Sequence, residues 1–374
     1  MNIKNYKLIK ANKNEMSEVI QFLNYCFNIN FKNVVGKLYK DGIDYSNIHY
    51  IIKNNNTIIA AICINKSEWF LNKNKLKVAG IGSVCVHPEY RNKGIMQYML
   101  NQSNKIIKNY KSDISILSGN YNRYNHFGYE LANQCINYEI PFNIKHIDNN
   151  YKFVPINNLS KSQTNYLFKL NKKQPQHVKR LSSTFIDACK QWNHSSYGIL
   201  KNNNLIGYII NEQNVIEEFK LENYEEIINV LYNFMYYLNT KKINVLIPCI
   251  EYTQIDKLKN FNHTLFDKGS QMCQIINFKK VIKILLTYKN KYKKLENGTL
   301  TINIENYGGI KINVNNTIAI SKYTSSNYDL SLNKLDALKL LLNHNTKLDI
   351  AENKKTICNS WFPLDIYLHT ADLI

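Results

Sequence analysis

The amino-acid sequence predicts a mixed α/β fold of the α+β type, in which a crossover helix packs against a sheet. Apolar segments with strand character alternate with helical segments over roughly the first 145 residues. At residues 82–100, an apolar strand passes through a short turn into an amphipathic helix. The chain has 374 residues, 44% hydrophobic and 20% charged, so it can form two or three domains with substantial cores and is not globally disordered.

The first unit, residues 1–148, has the clearest order of elements: helix, hairpin, strand, helix, strand, loop and strand. Its first helix is predicted from Val19, Ile20 and Leu23, which share one helical face. The hairpin is predicted from two apolar runs that an Asn-rich turn joins. These elements cover residues 17–27, 48–65, 78–86, a helix from about Gly94, 113–119, an aromatic loop over 120–130, and 135–142.

A second unit is predicted over residues 149–282 and a third over 283–374. The element order of the second unit loosely repeats that of the first, but it lacks a turn with the Arg-x-x-Gly pattern. Its predicted elements are helices over Lys161–Leu170 and Val178–Gln191, a strand pair over 197–212, a helix over Glu225–Leu238 and a strand over 243–250. Around the third unit we expect a helix over 278–288, strands over 299–305, 309–314 and 317–322, and a helix over 332–342.

The charge and cysteine patterns exclude several classes of protein. The formal net charge is +20, and the lysines that produce it are spread along the chain, which favours attraction of anionic ligands over nucleic-acid binding. The eight cysteines form no C-x-x-C pair, so no metal site is indicated, and isolated thiols are typical of a reducing compartment. We find neither a signal peptide nor an apolar stretch of about 18 residues. We therefore expect a soluble, cytoplasmic protein without a membrane partner or a metal.

The turn that follows the strand over 78–86 carries the strongest chemical signal. It reads VHPEYRNKG and ends at Gly94. A helix N-terminus presents unpaired N–H groups and partial positive charge, and glycine lets a ligand approach the backbone closely. Arg91 and Lys93 add positive charge, while Pro88 ends strand pairing and frees backbone groups for an amide-bearing ligand. The pattern predicts a diphosphate site beside a strand that binds an extended ligand.

The whole pattern resembles the acetyl-CoA motif of the GNAT superfamily of N-acetyltransferases. It consists of an apolar strand, V-x-P-x-Y-R-x-x-G, an amphipathic helix, a second apolar strand and an "HFGYE" loop. In that family the first strand splays from its neighbour and binds pantetheine, and the turn holds the pyrophosphate. The resemblance implies acetyl-CoA as acyl donor, without a metal. It implies cofactor contacts from Val84, Cys85, Val86, Arg91, Asn92, Lys93, Gly94, Ile95, Met96, Ser118 and Gly119.

Met96 stands where the family usually has a small residue. A large side chain at this position also occurs in the enhanced-intracellular-survival (Eis) type of acetyltransferase, which this chain resembles in length and element order. That type has an acetyltransferase domain, a degenerate acetyltransferase-like domain and a C-terminal domain similar to sterol carrier proteins, and it often forms hexamers. The resemblance implies these three domains for residues 1–148, 149–282 and 283–374, one cofactor site per chain and a homo-oligomer.

The Eis type also implies the catalytic groups. Its acid is a tyrosine in a Y-x-x-F-G-Y loop, which "RYNHFGYE" matches at Tyr124, and its base is the C-terminal carboxylate, here that of Ile374. A tyrosine with a pKa near 10 stays protonated at neutral pH and suits the acid role. The last segment, WFPLDIYLHTADLI, is unusually apolar for a terminus, so we expect it to pack inward. A terminal surface strand, or His126 as the base, remains an alternative.

The predicted activity is direct transfer of an acetyl group to a primary amine within a ternary complex. The acceptor stays open between a small polyamine-like or aminoglycoside-like molecule and a peptide or lysine amine. Asp41, Asp44 and Glu68 could line a pocket for a cationic amine, although such residues are more often solvated charges. The alternative function is a non-catalytic acyl-CoA sensor or a basic nucleic-acid-binding protein.

Overall fold

The structure is a computed structural model that describes residues 6–132, 134–144, 147–267, 271–343 and 349–374. Its strands form three sheets, and helices pack against all three. The mixed α/β fold predicted from the sequence is confirmed.

Strands and helices alternate along the described residues. The strands are β1 (Ile9–Lys10), β2 (His49–Asn54), β3 (Thr57–Leu71), β4 (Asn74–Val86), β5 (Ile114–Ser118), β6 (Glu130–Leu131), β7 (Gln134–Pro141), β8 (Tyr151–Pro155), β9 (Gln176–Val178), β10 (Ser195–Lys201), β11 (Asn204–Glu212), β12 (Val215–Leu221), β13 (Lys242–Pro248), β14 (Asn262–Asp267), β15 (Gln271–Ile275), β16 (Gly298–Ile304), β17 (Gly308–Val314), β18 (Ile318–Lys322) and β19 (Leu330–Leu332). The α-helices are α1 (Met16–Phe27), α2 (Phe31–Val34), α3 (Gly36–Tyr39), α4 (Ile95–Asn109), α5 (Tyr121–Tyr124), α6 (Lys161–Lys173), α7 (Phe185–Cys189), α8 (Ile227–Tyr237), α9 (Tyr252–Leu258), α10 (Phe278–Tyr292), α11 (Lys334–Leu342) and α12 (Glu352–Trp361).

The first sheet has the order β1-β2-β3-β4-β5-β15-β6, and β9 pairs with the far end of β3. Asn55 and Asn56 join β2 to β3 with φ values of 46° and 68°, which a two-residue hairpin turn of type I′ requires. Strands β4 and β5 are parallel, and α4 connects them as the crossover helix. The α4 side chains of Met99 and Leu100 are buried against the sheet. The helix, hairpin, strand and crossover helix predicted for the first unit are therefore confirmed.

The second sheet has the order β14-β7-β13-β12-β11-β10-β8. It exchanges a strand with the first sheet. Strand β7 belongs to the first unit in sequence but pairs with β13 and β14, whereas β15 belongs to the second unit in sequence but pairs with β5 and β6. The predicted domain boundary at residue 148 stays a prediction. The first and the second sheet each contain strands from both sides of this residue.

One predicted helix, over Val178–Gln191, is wrong. This segment instead ends strand β9, makes a 3-10 turn at Ser182–Thr184, and forms the five-residue helix α7. Val178 pairs with Trp69 of β3, and the Trp69 indole N–H donates to Gln176 Oε1 at 2.9 Å. Pairing with the edge of β3 therefore overrides the helical spacing at Val178, and the helix is confined to the short α7.

The third sheet has the order β18-β17-β16-β19, with β16 and β19 parallel. Together with α10, α11 and α12 it shares one hydrophobic core with residues of β3, β4, β5 and β15 of the first sheet. The similarity of this unit to sterol carrier proteins stays a prediction. None of the helices in the described part of the chain combines the length and the apolar character needed to cross a membrane.

After α12 the described chain, residues 362–374, runs inward without a further strand. Leu364, Ile366, Tyr367 and Leu368 are all buried, and a 3-10 turn over Thr370–Asp372 precedes the last two residues. The terminal segment thus packs inward, as its apolar composition predicts, rather than forming a surface strand.

Candidate active site

The site begins where β4 and β5 separate. Their last register pair is Ile81 with Leu117, so Gly82 and Ser118 are the first residues beyond the ladder. Backbone groups beyond the last pair are available to an extended ligand. The splay that the motif implies is therefore present between these two strands.

A bulge in β4 lies just beyond this point, at Ser83, which has a left-handed φ of 53°. Ser83 Oγ lies 3.2 Å from the Tyr39 hydroxyl, which lies 2.9 Å from His49 Nε2. His49 Nδ1 lies 2.8 Å from the Tyr45 carbonyl, so Nδ1 carries the proton and Nε2 accepts from Tyr39. Burial lowers the pKa of His49 and raises that of Tyr39, which keeps both groups neutral. A buried chain of neutral hydrogen bonds thus fixes the bulge.

A cleft of about 700 Å³ opens on the C-terminal side of the splay. Most of the predicted cofactor residues line it: Val84, Cys85, Val86, Arg91, Asn92, Gly94, Ile95 and Met96. Lys93, Ser118 and Gly119 are not among the lining residues. Arg123, His126 and Phe127 from the aromatic loop form the opposite wall, so His126 lies in this cleft. We call this space the cofactor cleft.

The turn at the mouth of the cofactor cleft has the backbone that an anion site needs. Gly94 precedes α4 with a φ of 74°, and Asn92 has a φ of 60°. The Arg91 Nε–H donates to the Val86 carbonyl at 3.2 Å, which ties the guanidinium to the end of β4. Lys93 instead donates to the Glu89 carbonyl at 2.7 Å, so its ammonium group is held by the turn. The positive charge at the cleft therefore comes from Arg91, Arg123 and the helix N-terminus.

Two residues that line the cofactor cleft come from α1, a helix for which the sequence predicts no cofactor contact. Cys26 and Phe27 reach it from the end of α1. A hydrogen bond between the Cys26 and Cys85 thiols lowers the pKa of Cys26, and Arg91 lowers it further. Cys26 is partly exposed, unlike the other cysteines, which are buried. The apolar spacing predicts a helical face for α1, but it carries no signal of which strand the last turn of that helix contacts.

The last residue of the chain lies directly on β4. A Cβ atom at position 82 would lie 2.7 Å from the main-chain oxygen of Ile374 and 2.9 Å from its carbon, which only a glycine permits. At Gly80, the added atom would be 3.6 Å from the Ile374 side chain, an ordinary contact. A narrow gap of about 20 Å³ separates Ile374 from Ser118 on β5. Ile374 therefore occupies the point where the two strands diverge.

Tyr124 lies at the end of β5, on the other side of the splay. Its ring packs on Gly119, where a Cβ atom would lie 2.7 Å from Cε2 and where φ is 150°. The side chain is buried, and burial raises the pKa of Tyr124 although Arg123 opposes the change. Tyr129 instead bonds Ser115 Oγ at 2.7 Å within the core, as expected of a structural residue. Ile374 thus lies against Gly82, the first residue of β4 beyond the β4–β5 ladder, and Tyr124 lies against Gly119, the second residue beyond it on the β5 side.

Two side chains hold the last turn of the terminal segment, residues 370–373, by its carbonyl groups. The Lys37 ammonium donates to the carbonyls of Ala371 (2.8 Å) and Leu373. Gln191 Nε2 donates to the carbonyls of Thr370 (3.1 Å) and Leu373 (2.7 Å). Burial lowers the pKa of Lys37 to about 7, although Asp372 opposes the change.

A buried ion pair holds the same segment by a side chain. Arg180 donates to both carboxylate oxygens of Asp372, at 2.7 and 3.1 Å, and to both of Glu218, at 3.0 and 2.7 Å. The three side chains are 1–4% exposed. Bidentate contacts of this kind fix orientation as well as position. The second sheet therefore positions the chain terminus within the first.

A second cavity, of about 460 Å³, lies on the other side of the terminal segment. We call it the distal cavity. It borders the gap at Ile374, because Asn65, Ser67, Val78 and Asp372 line both. Residues from α3, β3, β4, the segment after β9 and the terminal turn form its walls. The terminal segment thus separates the cofactor cleft from the distal cavity.

The three acidic residues considered for a cationic acceptor differ in position. Asp41 is exposed and pairs with Lys32, and Asp44 is exposed and accepts from the Ser46 N–H. Neither lines the distal cavity. Glu68 does, but it pairs with Lys75 and, at 3.5 Å, with Lys179.

In the second unit two parallel strands also separate, but an ion pair bridges their ends. Strands β12 and β13 are parallel and pair at Val215 with Asn244 and at Ile216 with Val245. A buried ion pair between Lys220 and Glu251 bridges their ends. The following helix start carries carboxylates at Glu222, Glu225 and Glu226, which would repel a phosphate. These features argue against a second cofactor site.

Residues 7–132 match the family model of the acetyltransferase (GNAT) domain. The matched segment contains the splay, the Arg91 turn and Tyr124. No curated protein matches the chain. Its fold is similar to those of a GCN5-related N-acetyltransferase from Anabaena variabilis (16% identity, 98% of each chain, TM-score 0.70), a GCN5-related N-acetyltransferase from Kribbella flavida (12%, 90% of this chain and 88% of that chain, 0.64) and Eis1 from Mycobacterium abscessus (10%, 98% and 99%, 0.66). Residues 7–132 therefore carry a GNAT acetyltransferase domain, and this match supports an N-acetyltransferase. The three structures show that the fold is shared over most of the chain.

Proposed function

We propose that this GNAT domain transfers the acetyl group of acetyl-CoA to a primary amine, with the Ile374 carboxylate as base and Tyr124 as acid. The position of Ile374 on Gly82, at the apex of the splay, is the observation that carries the proposal. A base must lie within reach of the amine that attacks the thioester. The pantetheine arm would lie along Val84–Val86, and the pyrophosphate at Arg91 and the N-terminus of α4.

The proposed transfer proceeds through a tetrahedral intermediate. The amine nitrogen attacks the thioester carbonyl carbon while the Ile374 carboxylate accepts the proton that the nitrogen loses. The tetrahedral intermediate then collapses, the C–S bond breaks, and the sulfur leaves with the bonding electron pair. The Tyr124 hydroxyl gives its proton to that sulfur, and the raised pKa of Tyr124 ensures that the proton is present at neutral pH.

The geometry favours Ile374 over His126 as the base. His126 lies in the cofactor cleft with Arg91 and Arg123, where the phosphates would bind. Ile374 lies between the cofactor cleft and the distal cavity, from which an acceptor would enter. The hexamer implied by the resemblance stays a prediction, as does the cytoplasmic location expected from the cysteine pattern and the N-terminal sequence.

The proposal is tested by thiol release from acetyl-CoA with a panel of primary amines. Tyr124→Phe should lower kcat about 10²–10⁴-fold, as expected when a general acid is lost, while acetyl-CoA binding is retained. Tyr236→Phe, at an exposed tyrosine of α8, is the matched control. A peptide extension after Ile374 should abolish transfer, and full activity of the extended chain would exclude the terminal carboxylate. Binding of acetyl-CoA without thiol release for any amine would instead support the sensor function.

A further inference from the structure

The side chain of the last residue lies beside the point where the acyl group would be transferred. With CoA in the cofactor cleft and the amine at the Ile374 carboxylate, the thioester would lie between them, where β4 and β5 separate after Ile81 and Leu117. The carboxylate belongs to the main chain, so the base would be present whatever the side chain of residue 374. That side chain can therefore have a role of its own.

The Ile374 side chain lies along one face of β4. Its Cδ1 and Cγ1 atoms would be 3.6 and 3.7 Å from a Cβ atom at Gly80, and Cγ1 would be 2.8 Å from one at Gly82. Alternate residues of a strand point to the same face, so the two glycines leave this face of β4 without side chains. On β5, Ile116 is the register partner of Gly80, and Ser118 follows it on the same face. Ile374 thus lies over the strand ends at which the acyl group would arrive.

A gap of about 20 Å³ remains between this side chain and β5. Ile116, Leu368 and Leu373 are among the residues that line it, together with Ile374 itself. About 10–15 Å³ of such space holds one water-sized group, so the gap suits the methyl group of an acetyl and is too small for a propyl chain. Ile116 and Leu368 are buried in a packed core and cannot easily yield.

The main chain that carries Ile374 is held independently of this side chain. Lys37 and Gln191 both donate to the Leu373 carbonyl, and the buried ion pair at Asp372 holds the turn before it. A shorter side chain at position 374 should therefore enlarge the gap while the carboxylate stays in place. In the wild-type protein a longer acyl chain would have to displace Ile374, and overpacking of this kind is costly.

We propose that the side chain of Ile374 restricts the acyl donor to acetyl-CoA, because it closes the space into which a longer acyl chain would extend. The inference rests on the proposed function, since it assumes that the thioester reaches the apex of the splay. One residue would then have two separable roles. Its main-chain carboxylate accepts the proton of the amine, and its side chain excludes acyl groups longer than acetyl.

The test combines a series of acyl donors with variants of the last residue that keep the terminal carboxylate. We would measure kcat/KM for acetyl-, propionyl- and butyryl-CoA with one primary amine at a fixed concentration. In the wild-type protein each added methylene should lower kcat/KM about tenfold. Ile374→Val, which lacks Cδ1, should bring propionyl-CoA within about threefold of acetyl-CoA, and Ile374→Ala should do the same for butyryl-CoA.

Two control variants separate side-chain volume from other effects of substitution. Ile374→Leu keeps the number of carbon atoms and should keep a preference of about tenfold or more for acetyl-CoA over butyryl-CoA. Ile320→Ala, on β18 of the third sheet, makes the same truncation outside the splay and should leave the wild-type order of donors unchanged. An unchanged order in Ile374→Ala, or equal use of acetyl- and butyryl-CoA by the wild-type protein, would overturn the inference.

Calorimetry without an amine distinguishes failure of this inference from failure of the proposed function. The wild-type protein should bind butyryl-CoA about tenfold more weakly than acetyl-CoA, whereas Ile374→Ala should bind the two equally. If no donor supports transfer, the proposed function fails, and this binding ratio alone decides whether Ile374 limits the acyl group. If acetyl transfer occurs but the ratio is the same in both proteins, the inference fails and the proposed function stands.

Discussion

The contact between Gly82 and Ile374 depends on the absence of a side chain. Gly82→Ala would place a methyl group 2.7 Å from the Ile374 oxygen, so the carboxyl group must move away from the apex of the splay. If that group is the base, kcat should fall about 10²-fold or more while acetyl-CoA affinity changes little.

Gly80→Ala is the matched control on the same strand. Its new methyl group would make an ordinary 3.6 Å contact with the Ile374 side chain, so activity should stay within about threefold of wild type. Steady-state kinetics and calorimetry with acetyl-CoA check both variants. Equal activity of the two would show that the position of Ile374 does not matter for transfer.

Lys37 should make stability depend on pH in a specific direction. Burial lowers its pKa to about 7 in the folded protein from a usual value of 10.5, so between these values the unfolded chain binds more protons. The contribution of Lys37 to the free energy of unfolding therefore rises from about pH 7 towards pH 10, and it is lost as the pH falls to 7.

The Lys37→Met variant, which cannot titrate, is the comparison for this effect. Urea unfolding of both proteins from about pH 6.5 to 9 should show a difference in unfolding free energy that shifts in favour of wild type as pH rises. Parallel curves would mean that Lys37 titrates normally in the folded protein.

Single residues differ in how far the sequence can assign them. Arg91 and Gly94 are predictable because their roles depend on local order: a strand end, a turn and a helix start. Lys93 shares the positive charge and the position that predict a cofactor contact, but its ammonium is held by the Glu89 carbonyl. Cys26 escapes prediction because its position depends on packing between α1 and β4, which no local pattern encodes.

Secondary-structure elements, like single residues, can be predicted only where they depend on local sequence. Helices α1 and α4 and hairpin β2–β3 are predictable because their periodicity and turn residues are local. Val178, predicted as the start of a helix, ends strand β9 instead, because its pairing with Trp69 is a contact that local periodicity does not encode. The exchange of β7 and β15 between the sheets could not be predicted, since sequence order suggests pairing within each unit.

The terminal turn over Thr370–Asp372 should depend strongly on one carboxylate. Asp372→Ala leaves Arg180 with only Glu218 as an anionic partner among the described residues, in a site with 1–4% exposure. We expect a loss of about 3 kcal/mol in unfolding free energy, typical of breaking a buried ion pair. The terminus should also lose its alignment, so kcat should fall more than KM rises.

Asp41→Ala is the matched control, since Asp41 is 87% exposed in its pair with Lys32. The cost should be below about 1 kcal/mol. Chemical denaturation and steady-state kinetics check both variants. A similar small cost for Asp372→Ala would mean that the segment is held by Lys37 and Gln191 instead.

At the scale of the whole molecule, the exchanged strands make the first two units depend on each other. A fragment of residues 1–148 contains the complete acetyl-CoA motif but lacks β15, which pairs with β5 on the edge of the splay. It also lacks the terminal segment, and β7 would be left without β13 and β14. We therefore expect the fragment not to fold cooperatively, although the family match lies entirely within it.

The fragment is compared with the full chain by circular dichroism during thermal unfolding and by calorimetry with CoA. The expected result is no cooperative transition and no CoA binding for the fragment, because a sheet with an unpaired central edge exposes apolar surface and backbone groups. A fragment that folds and binds CoA would show that the first sheet is stable without β15. In that case the exchange would serve only to bring Ile374 to Gly82, and mixing the fragment with residues 149–374 should restore transfer to amines.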